Sequence, residues 1–268
     1  MRIPECIKDV VRCLRCARSA RLFRDTRAFA LLFLRRPSSH QSSRALSVRE
    51  VTVHPKAARG FPIALRTGTT DIASYREAFI VRYHMPQRLK PDVATILDLG
   101  ANIGLVSLDL AKTFPDSRIV SVELDRSNYE LLCRNVAFLS DRVMTVHAAV
   151  WSHSAGVSYS LDREENAFAV GVTANGAQLS ASVPSFTPPE LIALFHRELV
   201  DYVKMDIEGG EHELLLTGDT AWLERVEAIS VEIHRDAWTD DIAGVLRDAG
   251  FAVRRLVKHW NSLEAYRY

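Results

Sequence analysis

The stretch Thr95-Ile96-Leu97-Asp98-Leu99-Gly100-Ala101-Asn102-Ile103-Gly104 decides the fold. Thr95–Leu99 is a short apolar run and reads as a buried strand; a helical pattern from about Asn102 to Phe114 follows it. The glycines between them let backbone approach a ligand closely and adopt positive φ. The same alternation continues outward. Further strands are expected at Arg118–Val122, Val143–Ala148, Val203–Ile207 and Ala228–Ile233. Ser127 should cap a helix through about Phe138, another helix should start near Glu211, and a third should run through Ala249 until Gly250 stops it. Phe251–Leu256 and Glu264–Tyr268 read as a terminal strand pair. Strands alternating with helices mean an α/β fold, a mostly parallel sheet flanked on both faces.

Two regions precede this rhythm and one interrupts it. Residues 1–47 form a basic helical arm and a Ser- and Pro-rich linker; residues 48–92 form a lead-in, extended at Val51–Val53 and Ile63–Arg66 and helical from about Ser74 to His84, with Asp71 as its cap. The alternating domain occupies 93–268, with a β insertion at about 151–200 carrying strand-like pieces at Val157–Leu161, Phe168–Thr173 and Leu179–Val183.

Charge divides the same way. Residues 1–49 hold 11 Arg and 1 Lys against Glu5, Asp9 and Asp25, a net +9; with +1 for the whole chain, the remainder carries −8. Arg12, Arg15, Arg18, Arg21, Arg24 and Arg27 repeat every three residues and so wind around a helix instead of lining one face. The arm reads as a helix packing on its own body, as a peripheral contact of residues 1–36 with anionic headgroups, or as a targeting peptide. Cys13 and Cys16 make half a zinc site with no second pair to complete it. The expected location is cytoplasmic, at most peripheral at the inner face of a membrane. An acidic body argues against nucleic acid as a partner, since phosphates need cationic contacts.

The glycine turn specifies its ligand by what it lacks. A dinucleotide fingerprint needs a glycine where Asn102 stands, and a phosphate loop needs a lysine after Gly104. Instead Asp98 sits at the strand tip, where a carboxylate suits a cation. Glu123 ends the next strand, 19 residues after Gly104, where an acid can accept both hydroxyls of a ribose. Ribose without phosphate, joined to a cation, describes S-adenosyl-L-methionine. Asp98, Gly100, Asn102, Gly104 and Glu123 are its expected ligands, with Ala149 and Trp151 beside the adenine.

A polar row marks two later strands. Tyr202, Lys204, Asp206 and Glu208 alternate onto one face, and Glu232 and His234 onto another. Lys204 and Glu232 should neutralise each other if their strands are neighbours. Asp206, Glu208 and His234 fall at the tips, where Asp206 would position a hydroxyl and His234 would remove its proton. Asp206, Glu208, Glu211 and His212 also resemble a hard-metal set, although a sulfonium leaving group demands no metal.

These residues resemble the FkbM-type S-adenosylmethionine-dependent methyltransferases from about Ile63 to Phe251. The resemblance rests on Asp98-Leu99-Gly100-Ala101-Asn102-Ile103-Gly104, Val122-Glu123, Asn128…Leu131-Leu132…Asn135 and Ala149-Val150-Trp151. It continues through Val203-Lys204-Met205-Asp206-Ile207-Glu208-Gly209-Gly210-Glu211 and Val231-Glu232-Ile233-His234. Two positions depart: Leu124 replaces the family's usual proline and Gly210 its usual alanine. The resemblance implies a class I Rossmann-like methyltransferase that O-methylates a small-molecule, sugar or glycolipid acceptor. A non-catalytic cofactor-binding or membrane-associated scaffold module is the alternative. The resemblance does not reach the basic arm.

Overall fold

A computed structural model describes residues 49–56, 58, 61–159, 181–256 and 261–267. The basic arm, the linker, the Cys13–Cys16 pair and the expected strand at Phe168–Thr173 lie outside the described residues. The chain divides into two compact units, Met1–Ile80 and Val81–Tyr268.

In the first unit, β1 (Glu50–Val53) and β2 (Ile63–Arg66) pair antiparallel, and α1 (Asp71–Arg76) follows. This helix starts earlier and ends sooner than the expected Ser74–His84, passing into a π-helical turn at Glu77–Val81. Asp71 does not cap it; Thr70 holds that position, and the Asp71 carboxylate instead accepts the Arg66 backbone N–H at 2.7 Å and its guanidinium at 2.8 Å.

The second unit is built on seven strands. In chain order they are β3 (Thr95–Leu99), β4 (Arg118–Glu123), β5 (Val143–His147), β10 (Tyr202–Met205), β11 (Ala228–Glu232), β12 (Ala252–Arg255) and β13 (Ser262–Tyr266). Their order across the sheet is β12-β13-β11-β10-β3-β4-β5. β5, β4, β3, β10 and β11 run parallel, and β13 pairs antiparallel with both β11 and β12. The chain therefore moves outward from β3 to β5, then returns to β10 on the other side of β3. That reversal opens a crevice at the carboxyl ends of β3 and β10, where open α/β sheets bind ligands. This is the Rossmann-like arrangement expected from the sequence.

Helices α2 (Leu105–Thr113), α3 (Arg126–Asn135) and α5 (Thr239–Asp248) flank the sheet, with a short α4 (Pro188–Ala193). Alternate strand residues feed two cores: Leu97, Leu99, Val203, Met205 and Ile229 enter one with Ile242 and Leu246, while Ile96, Ile119 and Tyr202 enter the other with Leu110 and Leu132. Two helix starts differ from expectation for local reasons. α2 begins at Leu105 because Asn102 and Gly104 have positive φ, which an α-helix cannot include. Asp125, not Ser127, caps α3, its carboxylate accepting Asn128 N–H at 2.9 Å. After β10 the chain forms a π-helical turn at Glu213–Thr217 in place of a regular helix.

The insertion supplies two small pairings. β6 (Ala149–Val150) runs parallel to β9 (Ser185–Phe186), and β7 (Val157–Tyr159) antiparallel to β8 (Ala181–Val183). Among the described residues no helix is long and apolar enough to cross a membrane.

One polar row crosses the apolar sheet. Thr145, Ser121, Asp98, Lys204, Ser230, Glu264 and Arg254 are successive register partners from β5 to β12. Ser107 of α2 satisfies its middle, bonding Asp98 at 2.5 Å and Ser121 at 2.9 Å. The expected Lys204–Glu232 neutralisation is redistributed here. The Lys204 ammonium lies 3.6 Å from Asp98 and 3.3 Å from Asp206, and donates to the Gly100 carbonyl at 2.8 Å. Glu232, two residues beyond Ser230, adds attraction from the neighbouring strand. Removing one member of a buried ion network strands the others' charge. Lys204→Met is therefore expected to destabilise the protein by about 3–5 kcal/mol, measured by urea unfolding; an unchanged midpoint would show that Asp98 and Asp206 do not need it.

Candidate functional site

Four strand ends converge at the crevice. At the end of β3 the chain folds back over β4, with Gly100 and Ala101 N–H both donating to Val122 O, at 3.0 and 2.9 Å. Gly100 has φ +77, and a Cβ there would sit 1.6 Å from the Asp206 carbonyl oxygen. Only glycine lets this turn lie against the end of β10. Gly104 has φ +84, and its Cβ would meet Leu132 Cδ1 at 2.6 Å, so the second glycine serves close packing of α2 on α3.

Glu123 closes the turn from the neighbouring strand. Its two oxygens accept the N–H groups of Asn102 and Asp125, each at 2.8 Å. Burial raises its pKa to about 7 against the lowering effect of those two bonds. Each oxygen keeps a further lone pair for a ligand hydroxyl. Beside it, Leu124, Trp151 and Ala181 pack against Ala149, Val157 and Tyr159. Ala149 itself is buried, with its N–H donated to Pro184 O. Leu124, singled out in the sequence as a departure, thus forms part of the apolar patch next to Glu123.

Asp98 takes a different place from the one expected. It is fully buried, bonded to Ser107 and facing Lys204, so it supports the turn from beneath instead of meeting a cationic ligand directly.

The ends of β10 and β11 bring the acidic residues and His234 together. β10 stops at Met205, before the expected Ile207: Asp206 N–H makes the last ladder bond, to Leu99 O, and Glu208 and Gly209 then turn the chain at positive φ. His234 Nε2 lies 3.2 Å from Glu208 and 3.5 Å from Asp206, while Nδ1 lies 3.0 Å from Glu211. Burial alone would lower the histidine's pKa. The Glu211 hydrogen bond and charge, with the charges of Asp206 and Glu208, outweigh it and raise the value to about 9. His234 is therefore a cation at neutral pH in the protein alone, not the ready base its sequence position suggested. Burial also raises Glu208 to about 7 and Glu232 to about 8, the latter with repulsion from Asp206. Asp206 moves the other way, because Lys204 and His234 overcome its burial.

Sequence reasoning missed Tyr83. Its hydroxyl donates to Asp206 at 3.2 Å and lies near enough to Glu232 to favour that group's charged form. It reaches the site because its neighbours are tied down: Arg82 Nε and His84 Nε2 both meet the Asp109 carboxylate, at 2.7 and 3.1 Å, and Tyr202 OH donates to His84 O. No periodic signal in the lead-in marks a residue held this way. The metal-like grouping also differs from expectation. Asp206, Glu232 and His234 have ligand atoms within 4.8 Å of one another, whereas the His212 ring lies tilted against Trp238 with centroids 4.9 Å apart.

Comparison with known proteins follows this geometry. The family described as "Methyltransferase FkbM domain" matches residues 98–253, from the buried aspartate of the glycine turn to β12. The methyltransferase sdnD of Sordaria araneosa is 26% identical over 206 residues, covering 63% of this chain and 78% of that protein. The crystal structure of methyltransferase FkbM from Methylobacillus flagellatus KT is 18% identical with a TM-score of 0.47, covering 72% of this chain. The chain spans about half of that structure's length, 47%. Precorrin-6y C5,15-methyltransferase from Geobacter metallireducens GS-15 is 15% identical, with a TM-score of 0.41, covering 68% of this chain and 82% of that one. With the family match running over more than half its length, the chain belongs to the FkbM methyltransferase family.

Proposed function

We propose that the protein is an S-adenosyl-L-methionine-dependent O-methyltransferase whose acceptor is a hydroxyl on a sugar, glycolipid or other secondary metabolite. The observation that carries this reading is the meeting, at one crevice, of a positive-φ turn fastened to Glu123 and an Asp206–His234 pair on the adjoining strand ends. When bound, the cofactor would supply an electrophilic methyl group on a sulfonium.

The residues present fit that group. Glu123 has acceptor capacity left for the ribose hydroxyls, and Leu124 and Trp151 offer an apolar flank for the adenine. The carboxylates of Asp206, Glu208 and Glu232 make the crevice hospitable to a cation. Asp98, Gly100 and Gly104 act by shaping the turn.

On the acceptor side, Asp206 would take a hydrogen bond from the reacting hydroxyl, with Tyr83 and Lys204 fixing its carboxylate. Neutral His234 would remove the hydroxyl proton at Nε2, and Glu208 would stabilise the resulting imidazolium. Positioning two bound reactants supplies much of the remaining rate.

Glu123→Gln is expected to weaken cofactor binding by about 10-fold or more, since a hydrogen bond to a charged acceptor contributes roughly 1.5–3 kcal/mol. Calorimetry checks this, and unchanged affinity would remove the ribose assignment. His234→Ala should lower turnover about 100-fold or more while leaving cofactor affinity alone, if proton removal matters as it does in general base catalysis. The assay is transfer of labelled methyl to acceptors in a cell extract. A protein that binds cofactor yet labels nothing in any extract would favour the non-catalytic module. The pH profile has a definite sign: with His234 raised to about 9 in the protein alone, kcat/KM for the cofactor, which reports the protein before it binds, should climb through the neutral range and level off only near pH 9. A plateau already reached at the ordinary histidine value would exclude His234 as the base.

A further inference from the structure

Glu211 is fully buried, yet it sits only six residues beyond the end of β10. The tight turn through Glu208 and Gly209, both at positive φ, brings its carboxylate back toward the strand it has just left. One oxygen, Oε1, lies 3.1 Å from the donating Ile207 N–H and 3.0 Å from His234 Nδ1. The other, Oε2, is buried with no hydrogen-bond partner among the described residues.

A purely structural role explains this poorly. A glutamine of the same shape would satisfy Ile207 N–H without burying a charge, and a buried carboxylate with an orphaned oxygen is costly. Among the described residues the ion-pair partner of this carboxylate is the imidazole of His234. An ionised carboxylate only accepts hydrogen bonds. Nδ1 must therefore carry a proton, and neutral His234 must be the tautomer whose lone pair lies on Nε2. Nε2 is the nitrogen that faces Asp206 and Glu208 at the mouth of the crevice.

We propose that Glu211 is the positioning residue of the site: it selects the His234 tautomer, orients the ring across the two strand ends, and makes Nε2 the nitrogen that receives the acceptor's proton. The inference rests on the reading of His234 as the proton acceptor. Glu211 itself makes and breaks no covalent bond and keeps its hydrogen bonds to Ile207 N–H and Nδ1–H, while the O–H bond of the acceptor breaks and its proton bonds to His234 Nε2.

The groups around His234 are Asp206, Glu208 and Glu211 from the segment after β10, Glu232 on its own strand, and Lys204 and Tyr83 on the far side of Asp206. Of these, Glu211 alone is directed at Nδ1. Glu211→Gln keeps an acceptor of the same shape and removes the charge. The full chain carrying it should fold, retain the Nδ1–H tautomer by nitrogen NMR of the histidine ring, and show both the His234 titration and the acidic limb of kcat/KM moved to lower pH by at least about one unit. Each such unit corresponds to about 1.4 kcal/mol of lost interaction. Glu211→Ala should scramble the tautomer and lower kcat about 10- to 100-fold with cofactor affinity within about twofold, the behaviour expected when a group acting only in the reacting complex is lost. If that variant fails to fold, Glu211→Gln carries the test. Superimposable His234 titrations in wild type and Glu211→Gln would overturn the inference. Full activity of His234→Ala would instead overturn the proton-acceptor reading beneath it, and the two failures are told apart because the titration is read without turnover.

Discussion

Lys204 stands opposite Asp98 in the pairing of β3 with β10, and its ammonium reaches Asp98, Asp206 and the Gly100 carbonyl together. Desolvation disfavours that charge, but the carboxylates around it more than compensate and raise its pKa. The lysine is thereby fixed as a cation within the sheet. It joins the end of one strand, the turn that follows it, and the end of the next strand. The cradle at the end of β3 and the acidic tip of β10 cannot shift independently while this contact holds. The close approach of Gly100 to Asp206 is the steric counterpart of the same link.

Around that link the site is over-supplied with acid. Burial and repulsion from Asp206 disfavour the charged forms of Glu208 and Glu232 and raise them to about 7 and about 8. A cationic ligand would relieve both costs. His234 supplies that cation in the protein alone, and its raised pKa records the same excess from the opposite side. Binding of a positively charged cofactor would therefore weaken the hold on the histidine proton, which is the direction catalysis by a neutral imidazole requires.

Much of this was legible in the residues. The five parallel strands, the terminal pair and the stop at Gly250 follow from apolar runs and turn residues, which are local properties. The glycine turn and Glu123 could be placed at adjoining strand tips because period-two alternation and strand order are predictable. Element ends were less accessible. Asn102 and Gly104 look helical by pattern but take positive φ, so α2 starts later. Asp125 and Ser127 both suit a cap, and only the backbone angle at Asp125 chooses between them.

Sequence alone determined which chemical groups this protein carries and on which strand ends they fall, because strand alternation and glycine turns are set by neighbours along the chain. Only the tertiary structure decided which groups meet. It turned Asp98 inward to Ser107 and Lys204, left His212 against Trp238, drew in Tyr83 and buried Glu211 against the histidine. These contacts join residues far apart in the chain or on opposite sides of a turn. They are chosen by the register of β10 against β3 and β11, and by where burial leaves charge no other partner.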